Sequence, residues 1–309
     1  MMTNTPAVEW FARPLKDKIQ IWQFTNSRAL LMGIANAENG VGTCFNAKCG
    51  GTVWDTIREE TSWLDGQEVP GPFVPLGHSP GQFFPRMARP IVGDLLNEFN
   101  NVQARLPDCN SEQRYLRNAQ TQLEALVSDL AAICRVVEPS KATLEVYGHE
   151  IRNLLILAAT EVEMHMAGIM VSNGNQKTRK NTKSYINLAE PLRLRSYAVR
   201  FKRYPELNEI KPFTEWLRDK PTASLKWYDA YNAVKHDREG HFKRASLSNA
   251  IEAVAACAIL LVAQCGEAGL SDDLKRSITV EGEPWPIEDC YVAPQQSTTW
   301  TPINHPDLC

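Results

Sequence analysis

The strongest constraint on this chain is an apolar periodicity that begins near Asp108. Leu116, Ala119, Leu123, Leu126, Leu130, Ile133 and Val137 recur at spacings of three or four, which is the pattern of an amphipathic helix. Asn110 or Ser111 is placed to cap its start, and Pro139 ends it. After Ser140 a second long helix is expected to run to about Ser172, with Ile151, Leu154, Leu155, Ala158, Val162, Met166, Ile169 and Met170 on its apolar side and Asn173-Gly174 as its stop. A short link between two long helices makes them antiparallel neighbours. A third helix is expected from about Pro221 through Trp227, Tyr231 and Val234 to about Asp237. The fourth begins near Ser246 or Ser248, is apolar nearly all round from Ala250 to Ala263 apart from Glu252, and stops at Gly266, as a central core helix should. The sequence therefore predicts a mainly α protein, an antiparallel four-helix bundle over residues 108–277.

The remaining segments are expected to decorate that bundle. Residues 1–107 hold scattered apolar groups among many glycines and prolines and predict a loop-rich N-terminal cap, with a short strand over Ile19–Phe24 and a helix over Ser27–Asn36. Residues 175–220 form an insertion with a helix near Tyr185–Leu192 and an extended piece near Tyr197–Phe201. Residues 278–309 place Trp285, Tyr291 and Trp300 among five prolines, a composition that predicts an extended tail.

Composition excludes several classes. With 43% hydrophobic and 22% charged residues the chain has the make-up of an ordinary globular protein. Glu9, Arg13, Lys16 and Asp17 interrupt the opening segment too early for an export signal, and the longest strictly apolar run, Ala253–Ala263, is about half of the roughly 20 residues a membrane span needs. The expectation is a cytoplasmic protein without membrane contact, whose eight cysteines are reduced thiols. Cys44 and Cys49 lie close together but lack a second Cys or His pair downstream, so no metal site is expected. There is no phosphate-binding Gly-rich loop, no dinucleotide fingerprint, no nucleophile elbow and no His-Glu-x-x-His, so no cofactor is expected either.

Candidate chemistry gathers at the end of the third helix, in Tyr231-Asn232-Ala233-Val234-Lys235-His236-Asp237-Arg238. Asn232 and His236 are four apart and share a helical face, with Lys235 and Asp229 close to the same stripe. An amide, an ammonium and an imidazole on one face suit phosphate binding or proton transfer. The competing reading is a polar bundle end whose hydrogen bonds hold the packing. In the second helix Arg152, Glu161, Glu163 and His165 are ionisable groups among apolar neighbours and need partners. Glu161 is expected to reach Lys235 or His236, as a structural ion pair or as a general base.

This stretch, followed by a basic turn and a long apolar helix, resembles the last two helices of HEPN-type four-helix bundles, over roughly residues 110–266. In catalytic members an Arg, usually followed by a polar residue, is separated from a His by four to six residues, and the pair cleaves RNA across a dimer interface. The sequence departs from that pattern: aligned on His236, Tyr231 stands at the Arg position, while Asn232 and His236 match the polar residue and the His. The resemblance implies an RNA-binding homodimer with a defence or toxin role. In its ribonuclease version His236 acts as general acid or base, Lys235 and Arg238 neutralise the phosphate, and Asn232 orients the substrate. The alternative is a non-catalytic helical interaction module that forms a homodimer or docks a partner protein.

A second candidate is electrostatic. Lys177, Arg179, Lys180, Lys183, Arg193, Arg195, Arg200, Lys202 and Arg203 face only Glu190 between residues 175 and 204, whereas the whole chain carries a net charge of −3. Such asymmetry suits a polyanion surface, and the interleaved Tyr185, Tyr197, Phe201 and Tyr204 are candidates to stack on single-stranded bases. The plainer reading is a solvated insertion whose aromatics pack on the bundle.

Overall fold

The structure is a computed structural model that describes residues 8–15, 19–34, 36–65, 73–92, 112–177, 181–294 and 299–308. The side chains of 62–65 and of Arg238 also lie outside the description, as do Asn110, Ser111, Arg179 and Lys180. The chain divides into two compact units, one drawn from Met1–Phe83, Arg89–Leu106 and Pro284–Pro302, the other from Phe84–Ala88, Pro107–Glu283 and Ile303–Cys309.

The first unit overturns the expected fold class. Its strands β1 (Glu9–Pro14), β2 (Ile19–Phe24), β3 (Arg28–Leu31), β4 (Cys44–Asn46) and β5 (Val74–Pro75) form a five-stranded antiparallel sheet in the order β4-β3-β2-β1-β5. With 46% helix and 15% strand, the protein is mixed α and β rather than a four-helix bundle with a loop-rich cap. The physical reason lies in β2, whose Ile21 and Trp22 are both fully buried, so the strand is covered on both faces. Trp22 and Phe24 pack with Ala29, Leu31, Phe45, Val53, Ile57 and Phe73 on one side, and Ile21 packs with Ala12 and Val292 on the other. Helix α1 (Val53–Asp65) closes the first layer, with Trp54 stacked on Phe24 at 4.5 Å between ring centroids. Arg28–Leu31, expected in a helix, is a strand because Ala29 and Leu31 alternate into this aromatic core. Short strands β6 (Gln82–Phe83) and β7 (Ile91–Val92) pair with strands from much later in the chain.

The second unit is helical at its centre. Helix α2 (Gln113–Cys134) buries Ala119, Leu123, Leu126, Leu130 and Cys134, and α3 (His149–Ser172) buries ten positions, including His165. A short helix α4 (Thr182–Tyr185), capped by Asn181, leads to strand β8 (Ala198–Phe201). Then come α5 (Lys226–His236), the single turn α6 (Arg238–His241), α7 (Leu247–Cys265), α8 (Asp272–Ser277) and strand β9 (Ile278–Glu281), which pairs antiparallel with β8. Strands β10 (Tyr291–Val292) and β11 (Thr301–Pro302), in the region expected to be an extended tail, pair in parallel with β7 and β6 within the sheet unit.

Helix α7 is the core of this unit and touches α2, α3 and α5. Its alanines let neighbouring backbones approach closely, and the Cys257 thiol donates to the Ala158 carbonyl of α3 at 3.1 Å. By length and composition α3 and the segment Leu247–Gly269 could each cross a membrane, but the apolar window of the second is 83% buried inside the protein, which is the burial of a core helix.

Candidate functional site

The residues singled out at the end of α5 do not converge on one point. Tyr231 is fully buried. Its hydroxyl donates to Glu163 of α3 at 3.1 Å, Tyr228 donates to the other oxygen of the same carboxylate, and Lys235 donates to the Tyr231 oxygen at 2.6 Å. Lys235 also lies 3.9 Å from Glu163. Burial and the Glu163 charge push the Tyr228 hydroxyl up, and the Tyr231 hydrogen bond holds the Lys235 ammonium above its usual range. Lys235 is therefore committed to a tyrosine–carboxylate network, with about half of its side chain exposed.

His236 takes the opposite course. It is exposed on the last turn of α5 and makes no hydrogen bond or ion pair among the described residues. Asn232 is partly exposed one turn earlier. Asp229, near the same stripe, pairs with Arg244 from the following turn, and Asp237 caps α6 by accepting from the Gly240 amide. In the turn that follows, His241 and Lys243 are exposed, and the imidazole of His149 packs on Phe242 at 4.9 Å.

Glu161 does not reach Lys235 or His236. It faces His165, one turn further along α3, at 3.5 Å. Residues 161 and 163 lie on opposite flanks of the helix, so Glu163 meets α5 and Glu161 meets the interior near α2. There the Tyr115 hydroxyl lies 2.6 Å from His165 Nδ1 and 3.0 Å from Gln264 Oε1, and the Gln264 amide lies 3.2 Å from the same imidazole nitrogen. The Tyr115 hydroxyl has a single proton, which it gives to Gln264 Oε1 or to His165 Nδ1 but not to both, and Nε2 of the same imidazole faces Glu161. Burial, with a smaller contribution from Arg86, lowers the His165 pKa to about 4, and burial raises those of Glu161 and Tyr115.

Arg86 completes this cluster. Its guanidinium lies over the Tyr115 ring at 3.9 Å and its Nε donates to Glu112 at 2.8 Å. Its backbone has φ 55°, an uncommon conformation for a non-glycine residue and one that occurs at ligand clamps and tight crossings. The cluster is closed by its own members, and it reads as a satisfied interior network. Sequence reasoning missed it, although His165 of α3 and Gln264 of α7 are polar residues on otherwise apolar faces.

Three of the seven described cations of the basic insertion pair with carboxylates, and a fourth bonds a backbone carbonyl. Arg193 pairs with Glu283, Arg195 with Glu190 and the Trp216 carbonyl, Arg200 with Glu209, and Lys202 donates to the Lys275 carbonyl. Lys183 and Arg203 are exposed, and Lys177 is engaged with neighbours. Of the aromatics, Tyr185, Tyr197 and Phe201 are buried and Tyr204 is partly buried.

One further feature is the solvent face of α3. Glu150, Asn153, Leu157, Thr160, Met164, Ala167 and Val171 follow each other at alternating spacings of three and four along its solvent side. Leu157, Met164 and Val171 are 49%, 42% and 59% exposed. The Thr160 hydroxyl is satisfied by the Ile156 carbonyl, and from Asn153 to Val171 the stripe carries no charge. Residues at alternating spacings of three and four stand along one side of a helix.

Among the described residues no group of three or more His, Cys, Asp or Glu could hold a metal ion. No family model, no curated protein and no solved structure matches the chain.

Proposed function

We propose that the protein is a non-catalytic helical interaction module that pairs with a second copy of itself through α3. The observation that carries this reading is the uncharged, solvent-facing heptad stripe of Leu157, Thr160, Met164, Ala167 and Val171. Exposed single apolar residues are normal, but a regular row of them on one helix marks a contact surface. A second copy fits because the stripe reads alike in both directions about Met164, large and small residues alternating. An antiparallel pairing sets Met164 on its symmetry mate and Leu157 opposite Val171, as a two-fold interface requires. It also opposes the two helix dipoles and brings the acidic start of each α3, at Glu150, toward the end of the other, where the next cation is Lys177.

Met164→Glu tests this reading, because it places two carboxylates together on the two-fold axis. Sedimentation velocity should find the wild type dimeric and the variant monomeric with unchanged helix content. A wild type that stays monomeric at high micromolar concentration removes the proposal.

A second reading rests on His236. An exposed imidazole with no partner among the described residues, beside Asn232 and Lys235, supports a HEPN-like RNA-binding surface at the end of α5. The commitment of Tyr231 and Lys235 to Glu163 favours binding over cleavage. Filter binding of an oligouridylate should weaken steeply with salt and again in His236→Ala; affinity unaffected by both would dismiss it.

A further inference from the structure

A cleft of about 470 Å³ opens in the helical unit between α2, the end of β8 and α8, within the size range of small-molecule sites. Its floor is apolar. Val127, Leu130 and Ala131 come from one face of α2, with Phe201 from β8 and Leu274 from α8. Leu130, Leu274 and Phe201 are fixed in the core at 1%, 1% and 4% exposure.

Two cations, Arg203 and Arg276, and two carboxylates, Glu124 and Asp273, line the cleft as well. The two carboxylates in the cleft are already engaged: Glu124 accepts from the Ser271 hydroxyl, and Asp273 pairs with Arg276. Arg203 is exposed, shares a hydrogen bond with Tyr204 and has no carboxylate partner among the described residues. An apolar floor under a guanidinium without a counter-ion is half of an amphipathic pair.

We propose that this cleft binds a small organic anion, an apolar body seated on Val127, Ala131 and Leu274 with a carboxylate, sulfonate or phosphate head held by Arg203, beside the Arg276–Asp273 pair. Guanidinium groups suit such heads because their planar donors match two oxygens at once. Ser128 and Ser277 at the rim add neutral hydroxyls that accept or donate to suit the head group. The site is separate from the α3 seam and does not depend on dimerisation.

The probe is 8-anilinonaphthalene-1-sulfonate, an aromatic body with one sulfonate, titrated by fluorescence against the full chain. Wild type should bind one equivalent saturably. Arg203→Gln should weaken binding about tenfold, the scale of a lost charge-assisted hydrogen bond. Ser128→Glu, an exposed change that leaves the core untouched, should weaken it to a similar degree by repelling the head group. Met164→Glu, on the α3 seam, should leave it unchanged. Decanoate should compete. Equal affinity in wild type, Arg203→Gln and Ser128→Glu, or loss of binding in Met164→Glu alone, would overturn the assignment.

Discussion

The Tyr115 hydroxyl and His165 Nδ1 stand 2.6 Å apart inside the helical unit, where the imidazole is 1% exposed. With His165 buried, its pKa falls from 6.5 to about 4. An unfolded chain therefore takes up this proton below about pH 6.5, whereas the folded chain declines it until near pH 4. Stability from this residue is complete above pH 6.5 and declines as the pH drops toward 4. The span corresponds to about 3 kcal/mol. His78, in the sheet unit, is also lowered to about 4, so wild-type acid sensitivity has more than one source. His165→Gln keeps an acceptor for Tyr115 and removes the titration. Urea unfolding at pH 7.5 and pH 4.5 should show a smaller difference in the variant than in the wild type; an identical difference would contradict the neutral imidazole.

The Glu163 carboxylate serves two buried phenols, Tyr228 and Tyr231, which are 4% and 0% exposed. Glu163→Leu strands both hydroxyls without an acceptor and should cost about 2–4 kcal/mol. Tyr231→Phe removes one donor and leaves the carboxylate with Tyr228 and Lys235, so its cost should be near 1 kcal/mol. Denaturant midpoints of the two variants at neutral pH check the order. If Tyr231→Phe were the more damaging, the phenol would have a role beyond this network.

Glu252 is the lone acid on α7, and burial raises its pKa to about 6, partly offset by Lys226. The sign is the reverse of an ion-paired carboxylate. The folded state holds the proton more tightly than the unfolded chain, so stability is lost as the pH rises from about 4.5 through 6. Glu252→Gln should then stabilise the protein by about 1–2 kcal/mol at pH 7.5 and by little at pH 4.5. Thermal melts at the two pH values decide it, and destabilisation at pH 7.5 would mean that the carboxylate has a partner worth more than its burial.

The helices were legible because their periodicity is long. Leu123, Leu126 and Leu130 of α2, or Ala158, Val162 and Met166 of α3, repeat over many turns, and one misplaced residue does not hide the pattern. The sheet unit was not legible, because its strands span two to six residues and are separated by glycines and prolines. Its pairings are also remote: Ile91 meets Tyr291 and Gln82 meets Thr301, and local propensity cannot report contacts so far apart in the chain. At the candidate site the spacing of Asn232 and His236 was readable, but the destination of Glu161 was not. Residues 161 and 163 differ by two positions, and a rotation of the helix decides which of them meets Lys235. The exposed row of Leu157, Met164 and Val171 was readable at sevens, but in a helix apolar nearly throughout, spacing alone does not separate the solvent side from the buried one.

Gly269 provides the last test, at the turn that follows α7. A Cβ built there would lie 2.7 Å from the Leu261 carbonyl oxygen and 3.1 Å from its carbon. Those atoms belong to the backbone of the core helix and cannot turn aside as a side-chain tip can. Gly269→Ala must therefore move the turn or the end of α7, although alanine would otherwise narrow the unfolded ensemble and stabilise. The expected outcome is a loss of about 1–3 kcal/mol, the scale of overpacking a rigid site. Gly51→Ala is the control, because its Cβ would meet its nearest atoms only at 3.6 and 3.7 Å, an ordinary contact. Chemical denaturation of both variants should show the first destabilised and the second close to wild type. Equal behaviour would mean that the turn after α7 yields more readily than its close approach to Leu261 implies.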